Sequence, residues 1–271
     1  MPEWTPADDL SLALAIATDA DLIALERFRA QDLVIESKPD STPVTDADRA
    51  VERLVRQRIE ASRPGDLILG EEYGGEATRS GRQWIIDPID GTKNFLRGVP
   101  VWGTMIALAV DGVPIVGVVS APALRRRWWG ARGLGAWTQD THLGEATEAR
   151  PERLAVSAVG ELADASVSHG SLQMFEQAGA LDRLIGLSRR VWRTRSYGDM
   201  WQYMLVAEGL VDAVVEFDLQ PHDMAAHIPI LEEAGGRFTS VDGASGPWDG
   251  SAVATNGRIH DALLAHMRAE A

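Results

Sequence analysis

The sequence contains no cysteine in its 271 residues. This absence excludes disulfide bonds, a thiolate nucleophile and a cysteine-ligated zinc site, and it favours an intracellular compartment. The sequence also has no apolar run as long as a membrane span, and residues 1–6 lack the basic region of a signal peptide. We therefore expect a soluble, cytoplasmic protein that does not associate with membranes.

Positive charge is scarce in this sequence. The chain has 26 Lys and Arg residues against 40 Asp and Glu residues, which gives a formal net charge of -14. Non-specific affinity for nucleic acid comes largely from basic groups that bind phosphate, so this balance argues against a nucleic-acid partner. A small phosphorylated substrate can still bind through metal ions that acidic side chains hold.

Two carboxylates end the apolar run Trp84 to Ile86. The run reads as a buried strand, and it stops at the segment Asp87-Pro88-Ile89-Asp90-Gly91-Thr92. Because Pro88 fixes its own backbone angle, the segment can hold the two carboxylates at a set separation. Taken alone, an Asp-Pro-x-Asp-Gly segment is more often an ordinary turn than a metal site.

A second acidic cluster favours the metal interpretation. The run Leu67 to Leu69 is followed by Gly70, Glu71 and Glu72, a short distance upstream. Two neighbouring strands that both end in carboxylates form an oxygen-rich pocket, and like charges so close are costly unless a cation lies between them. Hard oxygen ligands select magnesium or manganese over zinc. We therefore predict a Mg2+ site, with Mn2+ as a substitute.

The first half of the chain predicts helices followed by antiparallel strands. Asp8 and Asp9 are placed to cap a helix that ends near Arg29, and Thr45-Asp46 lies at the start of a second helix. Asp111-Gly112 joins two β-rich runs and is typical of a hairpin turn.

Further antiparallel strands are predicted around Trp128-Trp129 and Gly135 to Trp137. Adjacent residues on a strand point to opposite faces, so we expect the paired tryptophans to pack rather than to stack on a ligand. Residues 139–152 are polar and carry no apolar period, so we place a domain junction there. The predicted domains are an N-terminal α+β domain over residues 1–145 and a C-terminal α/β domain over residues 146–271.

The second half alternates strands and helices. We predict strands over residues 154–156, 165–168, 191–193, 211–217, 237–240 and 252–254. Helices are predicted over residues 174–184 and 199–208, and from residues 223 and 259 onward. This alternation indicates layered α/β packing with an antiparallel portion in the first half.

Four segments together resemble the signatures of the inositol monophosphatase family. They are Gly70-Glu71-Glu72, the segment Trp84 to Phe95, Asp223-Met224-Ala225-Ala226 and Glu232-Glu233-Ala234-Gly235-Gly236. The resemblance covers nearly the whole chain. It implies the five-layer αβαβα sandwich of the inositol monophosphatase and fructose-1,6-bisphosphatase type, an α/β fold. It also implies a magnesium-dependent phosphomonoesterase, and a homodimer.

The resemblance assigns site residues by their match to the family pattern. It implies metal ligation by Glu71, Asp87, the Ile89 backbone oxygen, Asp90 and Asp223, with Asp46 beside the metals. Asp223 lies at a predicted helix start, where a carboxylate is also stabilised by the helix dipole. The family pattern usually has tryptophan before this aspartate, and here the residue is His222. That departure puts the packing around Asp223 in doubt.

Water is the expected nucleophile, because no Ser-His-Asp or Cys-His arrangement is apparent. His222 could contact substrate or metal, although a lone histidine is more often structural, and the other five histidines show no ligand spacing. A metal lowers the pKa of bound water. The predicted catalytic residues are Glu71 and Thr92, which position the water, with help from Asp46. Gly91 and Thr92 are expected to bind the phosphate.

Specificity is expected from the second half of the chain. The run Ala121 to Trp129 most resembles the histidinol-phosphatase branch of the family, which implies histidinol phosphate as the substrate. Arg195, Glu216 and Asp223 match positions near the organic part of the substrate. Glu216 would suit its ammonium group, and Asn256 could hydrogen-bond its imidazole, although Asn-Gly is first a turn.

Two alternatives stay open at this point. The same chemistry could act on inositol phosphate or on another small sugar or nucleotide phosphate. In a second alternative the chain is a metal-binding or phosphate-binding regulatory protein without turnover. The intact set Glu71, Asp87, Asp90, Thr92 and Asp223 argues against that second alternative.

Overall fold

The computed structural model describes residues 4–38, 43–141 and 150–269. The helices in these ranges are α1 (Pro6–Arg27), α2 (Asp46–Ser62), α3 (Thr92–Arg97), α4 (Leu172–Gln177), α5 (Leu181–Ser188), α6 (Asp199–Ala207), α7 (Pro221–Met224), α8 (His227–Glu233) and α9 (His260–Arg268). None of them is both long enough and apolar enough to cross a bilayer.

The strands fall into three sheets. They are β1 (Ile35–Ser37), β2 (Pro43–Thr45), β3 (Leu67–Gly70), β4 (Arg82–Asp90), β5 (Gly103–Val110), β6 (Val113–Ala121), β7 (Arg126–Ala131), β8 (Gly135–Asp140), β9 (Glu152–Arg153), β10 (Ser166–His169), β11 (Arg193–Arg195), β12 (Ala213–Phe217), β13 (Arg237–Thr239) and β14 (Ser251–Thr255). A seven-stranded sheet has the order β3-β4-β5-β6-β7-β8-β9, a five-stranded sheet has the order β11-β10-β12-β14-β13, and β1 pairs with β2.

The two large sheets differ in strand direction. In the seven-stranded sheet, β3 and β4 are parallel and the other pairs are antiparallel. In the five-stranded sheet, β10 is parallel to both β11 and β12, whereas β14 is antiparallel to β12 and β13. Because β3 and β4 run in the same direction, their carboxyl ends meet at one edge, which brings Glu71 towards Asp87.

Three buried cores lie among five layers of structure, and the middle core includes the central helical layer. The first core lies between α1 and α2 and one face of the seven-stranded sheet. The second contains α6 and α8 and lies between the two sheets, and the third lies between the five-stranded sheet and α4, α5 and α9. This order is the predicted αβαβα sandwich, so the expected fold class is confirmed.

Alternation along single strands explains how one sheet serves two cores. Trp84 and Ile86 of β4 lie in the first core, whereas Ile85 lies in the second. The adjacent residues Trp128 and Trp129 divide in the same way, so the prediction that they pack on opposite faces is confirmed.

Two glycines let a helix lie directly on the seven-stranded sheet. A Cβ added to Gly117 of β6 would lie 2.1 Å from the Ala226 carbonyl oxygen, and one added to Gly130 of β7 would lie 2.8 Å from Ile230 Cα. No side chain fits in that space, so α8 and the chain before it approach the sheet backbone. Glycine is the residue that permits so close an approach of one backbone to another.

Several predicted elements are confirmed, with small shifts at their ends. Thr45 caps α2, and its side chain accepts hydrogen bonds from the Ala47 and Asp48 backbone N–H groups. The hairpin between β5 and β6 turns at Asp111 and Gly112, which have φ values of 49° and 78°. The cap of α1 is Thr5 rather than Asp8 or Asp9, although the Asp8 carboxylate accepts from the Thr5 N–H in return.

Three other predictions were wrong in detail. The helix expected over residues 174–184 is split into α4 and α5, because Gly179 adopts φ 63° and the chain turns there. The strand expected over residues 154–156 is replaced by β9, and the Val156 N–H instead donates to the Ala234 carbonyl. The strand predicted over residues 191–193 is displaced to β11 (Arg193–Arg195). The predicted boundary at residue 145 lies outside the described residues, so the domain division stays a prediction.

Candidate metal centre and active site

Three carboxylates from two layers meet at one point. Each of Asp87, Asp90 and Asp223 offers an oxygen, and these oxygens lie within 4.8 Å of one another. Asp87 and Asp90 end β4, where the pairing with β5 becomes irregular between them. Asp223 is the third residue of α7, and its Oδ2 accepts a hydrogen bond of 2.6 Å from the Gln220 N–H. The structure thus brings these three predicted ligands together.

The local electrostatics of this cluster are unfavourable without a cation. Burial raises the pKa of Asp87 well above its usual range, and the nearby carboxylates of Glu71, Asp90 and Asp223 raise it further. Burial also raises the pKa of Asp90, with contributions from Asp199 and Asp223, against the opposing effect of the Met200 N–H bond. These groups repel one another when they are ionised, which is the situation that a bound cation relieves.

The donor set fits a hard divalent cation. The three side chains offer only oxygen atoms, and Asp87 Oδ1 is buried without a hydrogen-bond partner in the described part of the protein. A buried unpaired carboxylate oxygen is rare unless a further group binds it. Oxygen ligands in this number suit magnesium or manganese better than zinc.

Glu71 lies beside this cluster, on the turn that follows β3. Its backbone N–H donates to the Ile86 carbonyl oxygen at 3.1 Å, which holds the turn against β4. Lys38 Nζ lies 2.7 Å from Glu71 Oε1 and 2.6 Å from Glu72 Oε1. Burial raises the pKa of Glu72 to about 7, although Lys38 opposes this effect. Lys38 is therefore a cation that the structure places next to the acidic site.

Asp46 is not at the site, which corrects the expectation from the sequence. Its carboxylate is 38% exposed and pairs with Arg27 at 2.8 Å. Asp48, two residues further along α2, is fully buried and accepts hydrogen bonds from Thr45 and Thr92. Successive helix residues are rotated by about 100°, so residues two apart face nearly opposite directions. The helix start was predicted well, and the structure places Asp48 rather than Asp46 against Thr92.

Thr92 opens α3 directly after Gly91, which has φ 82°. Its Oγ1 lies 3.2 Å from Asp48 Oδ1 and 3.1 Å from the Ile89 carbonyl oxygen. The hydroxyl has one proton to donate and two acceptors within reach. If another group binds the Ile89 carbonyl oxygen, the Thr92 hydroxyl donates its proton to Asp48.

A cavity of about 160 Å³ lies beside Asp90 and Asp223, and most of the residues that line it belong to the second half of the chain. Its lining includes Asp90, Asp199, Glu216, Asp223 and His227. Glu216, which was predicted to contact the organic part of the substrate, therefore lines the cavity next to the carboxylates. Its Oε2 accepts hydrogen bonds of 2.8 Å from Gln202 Nε2 and from the Tyr203 hydroxyl. Burial, together with Asp199 and Asp223, raises the pKa of Glu216 to about 8 despite these two bonds.

Asn256 does not line this cavity, so the structure contradicts its predicted imidazole contact. Its amide nitrogen donates to Ser157 Oγ and the Val159 carbonyl, and its Oδ1 accepts from the backbone of the turn that leads into α9. Strand pairing explains the error. Glu216 pairs with Ala252 and Ala213 with Thr255, so Asn256 lies at the opposite end of β12, about 10 Å or more from Glu216.

Arg195 is also outside the cavity lining. Its guanidinium is exposed, and Nη1 donates to the Thr194 carbonyl at 2.7 Å. His222 lies where the sequence suggested, with Nε2 3.7 Å from Asp223 Oδ1. His222, which stands where the family pattern usually has tryptophan, therefore contacts the Asp223 carboxylate.

The sequence analysis missed Asp48, Lys38 and Asp199. Asp48 had a usable signal, because Thr45-x-x-Asp48 is a capping-box spacing that predicts a carboxylate hydrogen-bonded at the helix start. Asp199 follows Gly198 at the start of α6 and has φ 47°, an unusual value for a residue other than glycine. Burial raises the pKa of Asp199 to about 6, against the effect of Lys93. The residues next to Lys38 in the sequence do not indicate its ion pairs with Glu71 and Glu72.

Known proteins similar to this chain share both its sequence pattern and its fold. A model of the inositol monophosphatase family matches residues 6–271. The chain is 58% identical over 262 residues to a histidinol-phosphatase of Mycobacterium tuberculosis, covering 97% of this chain and 98% of the relative. It is 51% identical over 271 residues to a histidinol-phosphatase of Streptomyces coelicolor, covering 98% of each. Among solved structures, an inositol monophosphatase from Zymomonas mobilis is similar, with 30% identity, a TM-score of 0.83, and coverage of 98% of this chain and 100% of that one.

Proposed function

The chain belongs to the inositol monophosphatase family, and we propose that it is a magnesium-dependent phosphomonoesterase that hydrolyses L-histidinol phosphate to L-histidinol and phosphate. The observation that carries the metal-dependent chemistry is the cluster of Asp87, Asp90 and Asp223, which offer oxygens within 4.8 Å of one another and of which Asp87 has a buried Oδ1 without a hydrogen-bond partner among the described residues. The choice of substrate is supported by the names of the two relatives that are 58% and 51% identical.

Asp87, Asp90, Asp223 and Glu71 would hold the metal ions, with the Ile89 backbone oxygen as a further ligand. Bound magnesium would lower the pKa of a water molecule and neutralise charge on the phosphate oxygens and the leaving group. Manganese is expected to substitute for magnesium at these oxygen ligands.

Thr92 and Asp48 are the groups that we assign to the attacking water. The Thr92 hydroxyl lies 3.2 Å from the buried Asp48 carboxylate. When Thr92 donates its proton to Asp48, its lone pairs are free to accept a hydrogen bond from the water and so to orient it. Asp48 takes over the role that the sequence had assigned to Asp46. Glu71, close to both Asp48 and Asp87, is the second group that positions the water.

Phosphate binding is assigned to the start of α3. The first N–H groups of a helix have no partner within the helix, and Gly91 and Thr92 supply the first of them here. The Gly91 backbone also passes close to Asp199, since a Cβ at this position would lie 3.3 Å from the Asp199 carboxylate. A phosphate held at Gly91 would therefore lie next to the cavity that Asp199 lines.

Glu216 is the group that we assign to the ammonium of the leaving group. In the metal-free protein its raised pKa keeps it largely protonated at neutral pH. A cation placed in the cavity favours the carboxylate, so substrate binding would release a proton from Glu216. The Tyr203 and Gln202 donors remain in place to stabilise the charged form. Arg195 has no such support, so a role for it rests on the resemblance alone.

An assay of phosphate release tests this proposal. We expect histidinol phosphate to give the highest kcat/KM in a panel with inositol-1-phosphate, fructose-1,6-bisphosphate and p-nitrophenyl phosphate, and only when Mg2+ is present. Asp90→Asn, which removes a ligand charge at nearly constant volume, serves as the inactive control. A higher kcat/KM on an inositol or sugar phosphate would reject the substrate, and no turnover on any of the four would reject the enzymatic function.

The cellular setting of the proposal follows from the sequence and the family resemblance. We expect a cytoplasmic homodimer that acts on a small phosphorylated substrate. Light scattering coupled to size-exclusion chromatography measures the mass directly, and a single species of 29.4 kDa would contradict the dimer.

A further inference from the structure

The turn that carries Glu71 is bonded to a buried carboxylate of α2. Glu52 is fully buried. Its Oε2 accepts a hydrogen bond of 2.7 Å from the Glu72 N–H, and its Oε1 accepts one of 3.2 Å from the Tyr73 N–H. Two successive backbone N–H groups directly after Glu71 therefore point at one side chain.

Arg56 completes this contact from the same helix. Its Nε donates to Glu52 Oε1 at 2.7 Å, and its Nη2 donates to the Gly74 carbonyl oxygen. The turn also closes on itself, because the Gly70 N–H donates to that carbonyl at 3.0 Å. A buried carboxylate with two backbone N–H donors and a paired guanidinium is satisfied, so it can hold the turn in one position.

Gly70 leaves the space in which the Glu52 carboxylate sits. A Cβ added to Gly70 would lie 1.9 Å from Glu52 Oε1 and 2.4 Å from Glu52 Cδ. Any larger residue at this position would displace the carboxylate from the turn.

The spacing on α2 connects this contact to Thr92. Asp48 and Glu52 are four residues apart, so they lie one above the other on the same face of the helix. Asp48 accepts from Thr92 and Glu52 accepts from the turn after Glu71. One turn of α2 therefore sets the distance between Thr92 and Glu71, the two residues that we expect to contact the attacking water.

We propose that Glu52 is a positioning residue that fixes the Glu71–Glu72 turn for metal binding, so that disturbing it lowers the affinity of the protein for magnesium. This inference rests on the proposed function only in taking Glu71 as a metal ligand. Partners that orient metal ligands typically contribute about 10- to 100-fold to metal affinity or activity.

Glu52→Gln is the first test variant. It keeps the shape of the side chain but places an NH2 group against one of the backbone N–H donors, so one of the bonds to the turn is lost. Titration calorimetry of the metal-stripped protein with Mg2+ should give a dissociation constant raised about 10- to 100-fold. In the assay the same variant should need more Mg2+, with kcat at saturating Mg2+ returning towards that of the unaltered protein.

Two further variants distinguish a positioning role of Glu52 from a general effect on the stability of the protein. Glu60→Gln removes an exposed carboxylate from the same helix and should leave the magnesium constant unchanged. Gly70→Ala keeps the charge of Glu52 but pushes its flexible end away, so it should reproduce the weaker binding even if Glu52→Gln does not fold.

The outcomes distinguish the inference from the proposed function. Folded Glu52→Gln or Gly70→Ala protein with unchanged magnesium affinity would overturn the inference, whatever its melting temperature. An equal loss in Glu60→Gln would overturn it as well. If the unaltered protein binds Mg2+ but hydrolyses no phosphate ester, the proposed function fails while the binding constants still decide the role of Glu52. Absence of magnesium binding by the unaltered protein would overturn both.

Discussion

Asp46 and Asp48 offer a matched pair of substitutions, because both are acids in the first turn of α2 and only one is at the site. Asp48→Asn removes a buried charge that accepts hydrogen bonds from Thr45 and Thr92. Asp46→Asn removes a half-exposed charge that pairs with Arg27. We expect the first variant to lose most of its activity and the second to keep it.

The magnitude follows from the bonds that each variant loses. The amide that Asp48→Asn introduces keeps one oxygen, so either Thr92 or the Thr45 N–H would face an NH2 group. A hydrogen bond to a buried charged group contributes about 1.5 to 3 kcal/mol, which corresponds to roughly 10- to 150-fold in kcat. The exposed ion pair of Asp46 contributes about 0 to 1 kcal/mol, and its charge at the helix start about 0.3 to 1 kcal/mol, both to stability alone.

The assay is kcat for phosphate release at saturating Mg2+ and substrate, with the melting temperature of each variant as the control for folding. A folded Asp48→Asn protein with the rate of the unaltered enzyme would refute the assignment of Asp48 to the attacking water. A large loss of kcat in Asp46→Asn would restore the assignment made from the sequence and would mean that α2 is rotated relative to the observed geometry.

Three further predictions follow from the same site. EDTA should abolish activity and Mg2+ should restore it, because the carboxylates cannot activate water unaided; full turnover by metal-free protein would reject the mechanism. Burial raises the pKa of Glu216 from 4.5 to about 8, so between these values this carboxyl binds more protons in the folded metal-free protein than in the unfolded chain, and the contribution of Glu216 to the free energy of unfolding should fall as pH rises from about 4.5 to 8. Burial lowers the pKa values of His227 and His260, which act in the opposite direction, so the measurement is the difference in melting temperature between the unaltered protein and Glu216→Gln across this window. A difference between the two proteins that stays constant across that window would contradict this pKa direction. Glu216→Gln should lower kcat/KM for histidinol phosphate roughly 10- to 100-fold while changing p-nitrophenyl phosphate hydrolysis little, and equal losses on both would move Glu216 into the metal shell.

Local sequence patterns predicted most of the helices and strands, because neighbouring residues largely determine the backbone geometry of these elements. The alternation in β4 and the hairpin at Asp111-Gly112 each follow from backbone geometry that neighbouring residues dictate. The split between α4 and α5 was missed. A single glycine within an apolar period is compatible with a continuous helix, whereas here Gly179 ends α4 in the left-handed conformation and the Ala180 N–H donates to the Phe175 carbonyl.

The errors at the site have a different cause. The choice between Asp46 and Asp48 depends on how α2 is rotated about its axis, and that rotation is set by the contacts of its buried face with α1 and β4. The position of Asn256 depends on the register of β14 against β12, which a turn sequence does not encode. Lys38 meets Glu71 across 33 residues, so no window along the chain contains both. Residue types are readable from the sequence, whereas the direction in which each side chain points is fixed by tertiary packing.

The candidate metal centre also bears on how the layers are held together. Asp87 and Asp90 belong to the seven-stranded sheet, whereas Asp223 is carried by α7 on the chain that leads into the middle layer. Ionised and desolvated, these carboxylates push the two layers apart, against the direct contact that Gly117 and Gly130 allow. A cation between them reverses the sign of this interaction, and ligand present at about 100 times its dissociation constant stabilises the folded state by about 2.7 kcal/mol. The arrangement that makes the site chemically useful therefore lowers the stability of the metal-free protein, and the extensive apolar core around α6 and α8 is what allows the fold to tolerate it.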